Sequence, residues 1–140
     1  MRPVGEVASG AVPKAAIAYW ALVFALGFLL GSIRVLVLEP ALGMLPATLI
    51  ELPIMLGASW MVARWLLGRF GIAEPKHALA MGAIAFALLM GSEVLLTLIV
   101  FGDSVGEWIA GIGTPAGAIG LAGQVAFGLF PWAIRRREQA

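Results

Sequence analysis

The sequence predicts an all-α polytopic membrane protein, a four-helix antiparallel transmembrane bundle with both termini cytoplasmic. Three observations predict it. The 140-residue chain is 61% hydrophobic and only 12% charged. Four apolar runs are each long enough to cross a hydrocarbon core about 30 Å thick, which takes about 20 helical residues. The basic residues gather in segments that fall on one side if the chain crosses four times.

Composition excludes several classes at once. A soluble domain is usually about 45–50% apolar and about 25% charged. A water-soluble fold of this size could not hide so much apolar surface, since about a third of what the unfolded chain exposes stays exposed. A soluble enzyme, a disordered chain and a nucleic-acid-binding domain are therefore excluded. Mean hydropathy is +1.00. The chain has no cysteine, hence no disulfide framework, thiolate metal site or cysteine nucleophile.

The chain is expected to be a single integral membrane domain. Residues 1–13, rich in Gly, Pro and Ser, are expected to be a mobile N-terminal segment. Span one runs from Ala15 to about Leu38 with one charge, Arg34, and is followed by Glu39-Pro40. It is too long for the apolar core of a cleavable signal peptide. Span two runs from about Leu45 to Leu67 and holds Glu51, Pro53 and Arg64. The linker from Gly68 to His77 contains Gly71 and Glu74-Pro75, a helix stop, turn and restart. Span three runs from about Ala78 to Phe101 with Glu93 as its only charge. The stretch Val105–Ile112, with Trp108, is expected to rest on the membrane surface, and span four runs uncharged from about Ala116 to Ile134. Short connections predict that consecutive helices are antiparallel neighbours. Continuous apolar runs argue against a barrel, whose strands alternate with period two.

Charge sets the orientation. Arg2 and Lys14 precede span one, Arg64, near the end of span two, Arg69 and Lys76 lie at or between spans two and three, and Arg135, Arg136 and Arg137 follow span four. The opposite side holds Glu39, Asp103 and Glu107. The positive-inside rule then places both ends in the cytoplasm, and the expected location is a bacterial inner membrane. Tyr19, Trp20, Trp65 and Trp132 are expected at the cytoplasmic headgroup level, where amphipathic rings are favoured. The repeated tetrads Leu29-Leu30-Gly31-Ser32 and Leu89-Met90-Gly91-Ser92 suggest a tandem two-helix repeat.

The costly residues are the polar ones inside the spans. An ionisable group at membrane depth costs several kcal/mol and should face the bundle and find a partner. Counting about 1.5 Å per residue puts Arg34 about 6 Å, Glu51 about 9 Å, and Glu93 and Gln124 about 12 Å below the outer edge of their spans. Together they make a candidate polar layer, a binding or proton site, with Ser32, Thr48, Ser92 and Thr97 in support. Arg34 is expected to pair with Glu51, Glu93 or both, or to snorkel toward Glu39 or water. With two carboxyls and one guanidinium in an apolar setting, one Glu is expected to hold a proton near neutral pH. Pro53, two residues past Glu51, leaves the Leu49 carbonyl without its helical donor and is expected to kink span two there.

Glycines mark close approach. Gly27 and Gly31 on span one, and Gly117, Gly120 and Gly128 around Gln124 on span four, form faces for packing within the bundle or with a second copy or larger complex. His77 is the only histidine, too isolated for a metal or haem site. Ser59, Ser92 and Ser104 have no histidine base nearby, and Gly111-Ile112-Gly113 is not followed by a phosphate-loop lysine. No enzyme, catalytic residue, metal or cofactor is expected. Two functional readings follow: an accessory or scaffold membrane protein, or alternatively a small proton-linked transporter or ion-conducting protein using Glu51 and Glu93 with Arg34.

Overall fold

The computed structural model describes residues 10–100 and 102–139, of which 91% are helical, with no strand among them. Helix α1 (Ala11–Ile33) runs through a π-helical turn (Arg34–Leu38) into the short α2 (Glu39–Leu42). Helix α3 (Met44–Arg69) follows, then α4 (Pro75–Leu95) and a second π-helical turn (Leu96–Val100). Helix α5 (Val105–Ile112) precedes α6 (Pro115–Gln139). Four of the helical rods are long and apolar enough to cross a membrane: Ala11–Leu42, Met44–Arg69, Pro75–Val100 and Pro115–Glu138.

The helix ends have local causes. Gly43, at φ 87°, breaks the chain between α2 and α3, a backbone state that costs a residue without Cβ little. Helix α3 ends in a Schellman motif. Ile72 N–H donates to the Leu67 carbonyl at 2.9 Å and Gly71, at φ 67°, donates to that of Gly68 at 3.3 Å. Leu67 and Ile72, the hydrophobic partners of that motif, are both fully buried. Pro75 opens α4, where a missing N–H has no helical acceptor to lose. Ser104 caps α5 by accepting from Glu107 N–H at 3.1 Å.

Two expectations about boundaries are corrected. Of residues 1–13, positions 1–9 lie outside the described residues, but Ala11, Val12 and Pro13 are already helical and Ala11 is buried. Span one, expected to end at about Leu38, runs on through Glu39-Pro40 to Leu42. The π turn carries the helix onward: Glu39 N–H reaches back five residues to the Arg34 carbonyl, and Pro40 falls in the first turn of α2.

The long helices form a ring in which α1 packs on α3 and α4, and α6 also packs on α3 and α4. Helices α3 and α4 follow one another in sequence yet sit on opposite sides of the ring, so they are not the neighbours their short linker predicts. The core comprises Ala15, Ala16, Tyr19, Val23, Ala63, Leu66, Leu67, Ile72, Ala78, Met81, Ala85, Leu89, Phe127 and Ile134. It is rich in alanine, which lets backbones approach. The large side chains instead face outward: Leu36, Ile99, Met61 and Phe28 are 76, 75, 71 and 62% exposed.

Tyr19 is a core residue, and Trp20 packs partly buried against the core. Tyr19 is fully buried, stacks on Phe127 at 4.2 Å and donates to the Phe127 carbonyl at 2.7 Å. Helix α1 starts at Ala11, so these rings lie about two turns inside the helix. Trp65 is 60% exposed, near the end of α3.

The closest approach is between α4 and α6 at Gly82 and Gly128, both buried. A Cβ on Gly82 would land on the Gly128 carbonyl. Gly82→Leu must therefore separate the two helices, with an expected loss of at least about 1–3 kcal/mol from overpacking. Gly57→Ala meets nothing within 4 Å, and is expected to stabilise by about 0.5–1 kcal/mol through helix propensity. Thermal unfolding of detergent-solubilised protein checks both signs.

Candidate functional site: two polar staples

The four polar side chains do not form one connected cluster. Arg34 joins α1 to α3: its Nε donates to Glu51 Oε2 at 2.5 Å, and its NH1 donates to Glu39 Oε1 at 2.5 Å. Glu93 joins α4 to α6 and accepts from Gln124 Nε2. Arg34 therefore pairs with Glu51 and not with Glu93. Each sequential pair of long helices carries its own polar staple.

The π turn explains why Glu39 reaches Arg34. Residues five apart on an α-helix point about 140° from each other at 3.6 residues per turn. The widened turn, with its five-residue hydrogen bond, brings them toward one face. The guanidinium fork then holds a carboxylate on each side, the geometry for which Arg is suited. Side-chain exposures of 26% for Arg34, 20% for Glu39 and 17% for Glu51 place this staple near, but not at, the surface.

Glu93 differs in its surroundings. No Lys or Arg nitrogen lies within 4.0 Å of its carboxyl among the described residues; its one polar partner is the neutral Gln124 amide. Its neighbour Ser92 accepts from Trp20 Nε1 at 2.9 Å, linking α4 to α1. Leu52, beside Glu51, packs against Gly123, beside Gln124. The two staples are thus separated by an apolar contact, and no hydrogen bond joins them among the described residues.

The supporting hydroxyls are spent locally. Ser32, Thr48 and Ser92 donate to the carbonyls of Phe28, Met44 and Leu88 at 2.8, 2.8 and 2.7 Å, the usual four-residue back-bond of membrane helices. Thr97 contributes its carbonyl, which accepts from Asp103 N–H at 2.9 Å below the second π turn. Pro53 faces outward and α3 continues through it.

Several glycines expected on an association face are occupied inside the chain. Gly128 is closed over by Gly82 and Phe86, Gly27 faces the end of Met55, and Gly117 abuts Gly111 of α5. Gly120 alone of the span-four set has nothing within 4 Å, and Gly31 has only Arg34 of its own helix. His77 is half-buried, and its Nδ1 has no hydrogen-bond partner. No group of three His, Cys, Asp or Glu able to hold a metal occurs among the described residues.

The sequence marks Val105–Ile112 as a surface stretch without showing that it is helical, although Ser104 and Glu107 have capping-box spacing. Arg135, expected as a topology charge, also docks inside the chain. Its Nε donates to the buried Ile72 carbonyl at 2.7 Å and its NH1 pairs with Glu138 at 2.5 Å. Arg137 lies over the Trp60 ring at 5.7 Å, within cation–π range. Nothing in the Arg-Arg-Arg run distinguishes a docking arginine from its neighbours before the α3–α4 linker is placed.

Comparison with protein-family models, with curated proteins and with solved structures found no match. The class is carried by the chain itself: an all-helical protein with four helices long and apolar enough to span a membrane.

Arg34→Met leaves Glu51 and Glu39 without their cation. The expected destabilisation is about 3 kcal/mol, the low end for breaking a buried pair because Arg34 is a quarter exposed. Arg34→Met with Glu51→Met should recover part of that loss. A double-mutant cycle on thermal stability reads the coupling, and additive losses would exclude it.

Proposed function

We propose that this chain is a four-pass protein of a bacterial inner membrane, with alternating antiparallel spans and both termini cytoplasmic, and that it serves as a non-enzymatic accessory or scaffold subunit. Alternation is supported by the cross-helix pairs. Arg34 with Glu51 and Gly27 with Met55 run in opposite order along α1 and α3. Gly123 with Leu52 and Phe130 with Trp60 run in the same order along α6 and α3. The bond from Arg135 to Ile72 brings the basic end of α6 to the basic α3–α4 linker. Orientation then rests on the charge bias, with Lys14, Arg64, Arg69, Lys76 and Arg135–Arg137 on one side and Asp103 and Glu107 on the other.

The accessory role rests on one observation: Arg34, Glu51, Glu93 and Gln124 all bond within the chain, which fits side chains that hold helix register. Gly120 and the outward apolar surfaces remain for a second copy or a larger complex. The lack of cysteine allows a direct topology test. Cysteines introduced singly at Ala73 and at Gly106 should label from opposite sides of the inner membrane with an impermeant maleimide, Gly106 from the periplasm. Labelling of both from one side would sink the four-pass arrangement.

One observation favours the alternative reading, a proton-linked transporter or ion-conducting protein. Glu93 lacks a cation partner, whereas Glu51 has Arg34. If the alternative holds, proton-coupled flux in liposomes should vanish with Glu93→Gln and persist at reduced stability with Glu51→Gln. The accessory reading expects no flux from either variant or from the unaltered protein.

A further inference from the structure

Among the described residues Lys14, Arg64, Arg69 and Arg136 are exposed cations with no carboxylate within 4.0 Å, and two of them, Arg64 and Arg69, stand on α3. Arg135 is committed to Ile72 and Glu138, and Arg137 to Trp60. Arg64 and Arg69 border a shallow surface groove, wide open to the surroundings and lined only by α3 residues: Met61, Arg64, Trp65, Gly68 and Arg69. Steps of three and four link Met61, Trp65 and Gly68 into one stripe, and Arg64 and Arg69, five apart and about 140° from each other around the helix, flank it on either side. Gly68 has nothing within 4 Å of where its Cβ would stand; the stripe therefore has a notch between two guanidinium groups.

The stripe is graded along the helix. Met61 and Trp65 are 71 and 60% exposed, and Met61 lies eight residues, about 12 Å, from Arg69 toward the bundle centre. An apolar half thus continues into a cationic half. A free phosphate would use only the arginines, leaving Met61 and Trp65 in water. A phospholipid would use both, its phosphate on the guanidinium forks and an acyl chain along Trp65 and Met61. The aromatic ring at the boundary suits the headgroup level, and basic pockets at the cytoplasmic ends of membrane helices suit anionic lipids.

We infer that this α3 groove is a binding site for an anionic phospholipid of the cytoplasmic leaflet. The inference rests on the membrane-spanning reading. Charge and shape both contribute: Arg64 and Arg69 hold the phosphate, and the open notch at Gly68 admits it to the helix surface.

The test is native mass spectrometry of detergent-solubilised protein titrated with phosphatidylglycerol, phosphatidylcholine or inorganic phosphate. Phosphatidylglycerol should be retained in preference to both. Arg64→Gln with Arg69→Gln should weaken that retention by roughly twenty-five-fold, from about fivefold per interfacial charge. Gly68→Leu, which keeps every charge, should also weaken it. Lys14→Gln with Arg136→Gln removes two charges from the same end and should leave retention unchanged. An equal loss in that control pair, unaltered binding in the Arg64/Arg69 pair, or equal retention of inorganic phosphate would each overturn the site. Circular dichroism of every variant reports whether the helices persist. The paired cysteine labelling described above reports separately on membrane crossing, so failure of the lipid site and failure of the topology give different results.

Discussion

Polar groups inside an apolar medium must be satisfied by the chain itself, and this constraint organises the whole structure. Backbone groups are satisfied by helices. The few costly side chains are satisfied by pairing across them. Arg34 is the sharpest case, because its guanidinium draws on two carboxylates from opposite directions, one on α3 and one on its own rod. The second carboxylate is within reach only because the helix widens at Arg34–Leu38. A local departure from α-geometry thereby completes an ion cluster.

The two halves of the chain share a plan. In each, a long helix passes into a π turn, then a short helix, then a second long helix, and in each a polar side chain of the first rod is bonded to one on the second. The tetrads ending in Ser32 and Ser92 both precede a π turn, by two residues in the first half and four in the second. The halves diverge in their staples, one ionic and one a carboxyl facing an amide. They diverge in their outer connections too: α2 is part of a continuous rod, whereas α5 is capped separately by Ser104 and packs on α6 at Gly117.

Contacts between the halves are mostly apolar or aromatic. Tyr19 on Phe127 and Trp60 on Phe130 join them, while within the second half Gly82 and Gly128 let α4 and α6 touch by backbone. In lipid, helix association draws on close packing more than on hydrophobic burial, which is consistent with a core of alanine and glycine and a shell of large exposed aliphatics. The C-terminal arginines close the opposite end, where Arg135 ties α6 to the α3–α4 linker. Once Arg135 and Arg137 are so engaged, Arg64 and Arg69 on α3 are left free.

The sequence by itself determined the number and approximate extent of the long helices, because apolar length and charge scarcity depend on composition alone. It also marked Arg34, Glu51, Glu93 and Gln124, since ionisable or amide side chains are conspicuous in such runs. Tertiary structure decided the pairing, because depth along a helix says nothing about azimuth, and azimuth selects Glu51 over Glu93 for Arg34. It decided that Tyr19 points into the core, since azimuth, which residue type does not report, turns it toward Phe127. It also decided which glycines are filled: Gly82 and Gly128 are ordinary members of glycine-rich runs until two backbones meet there.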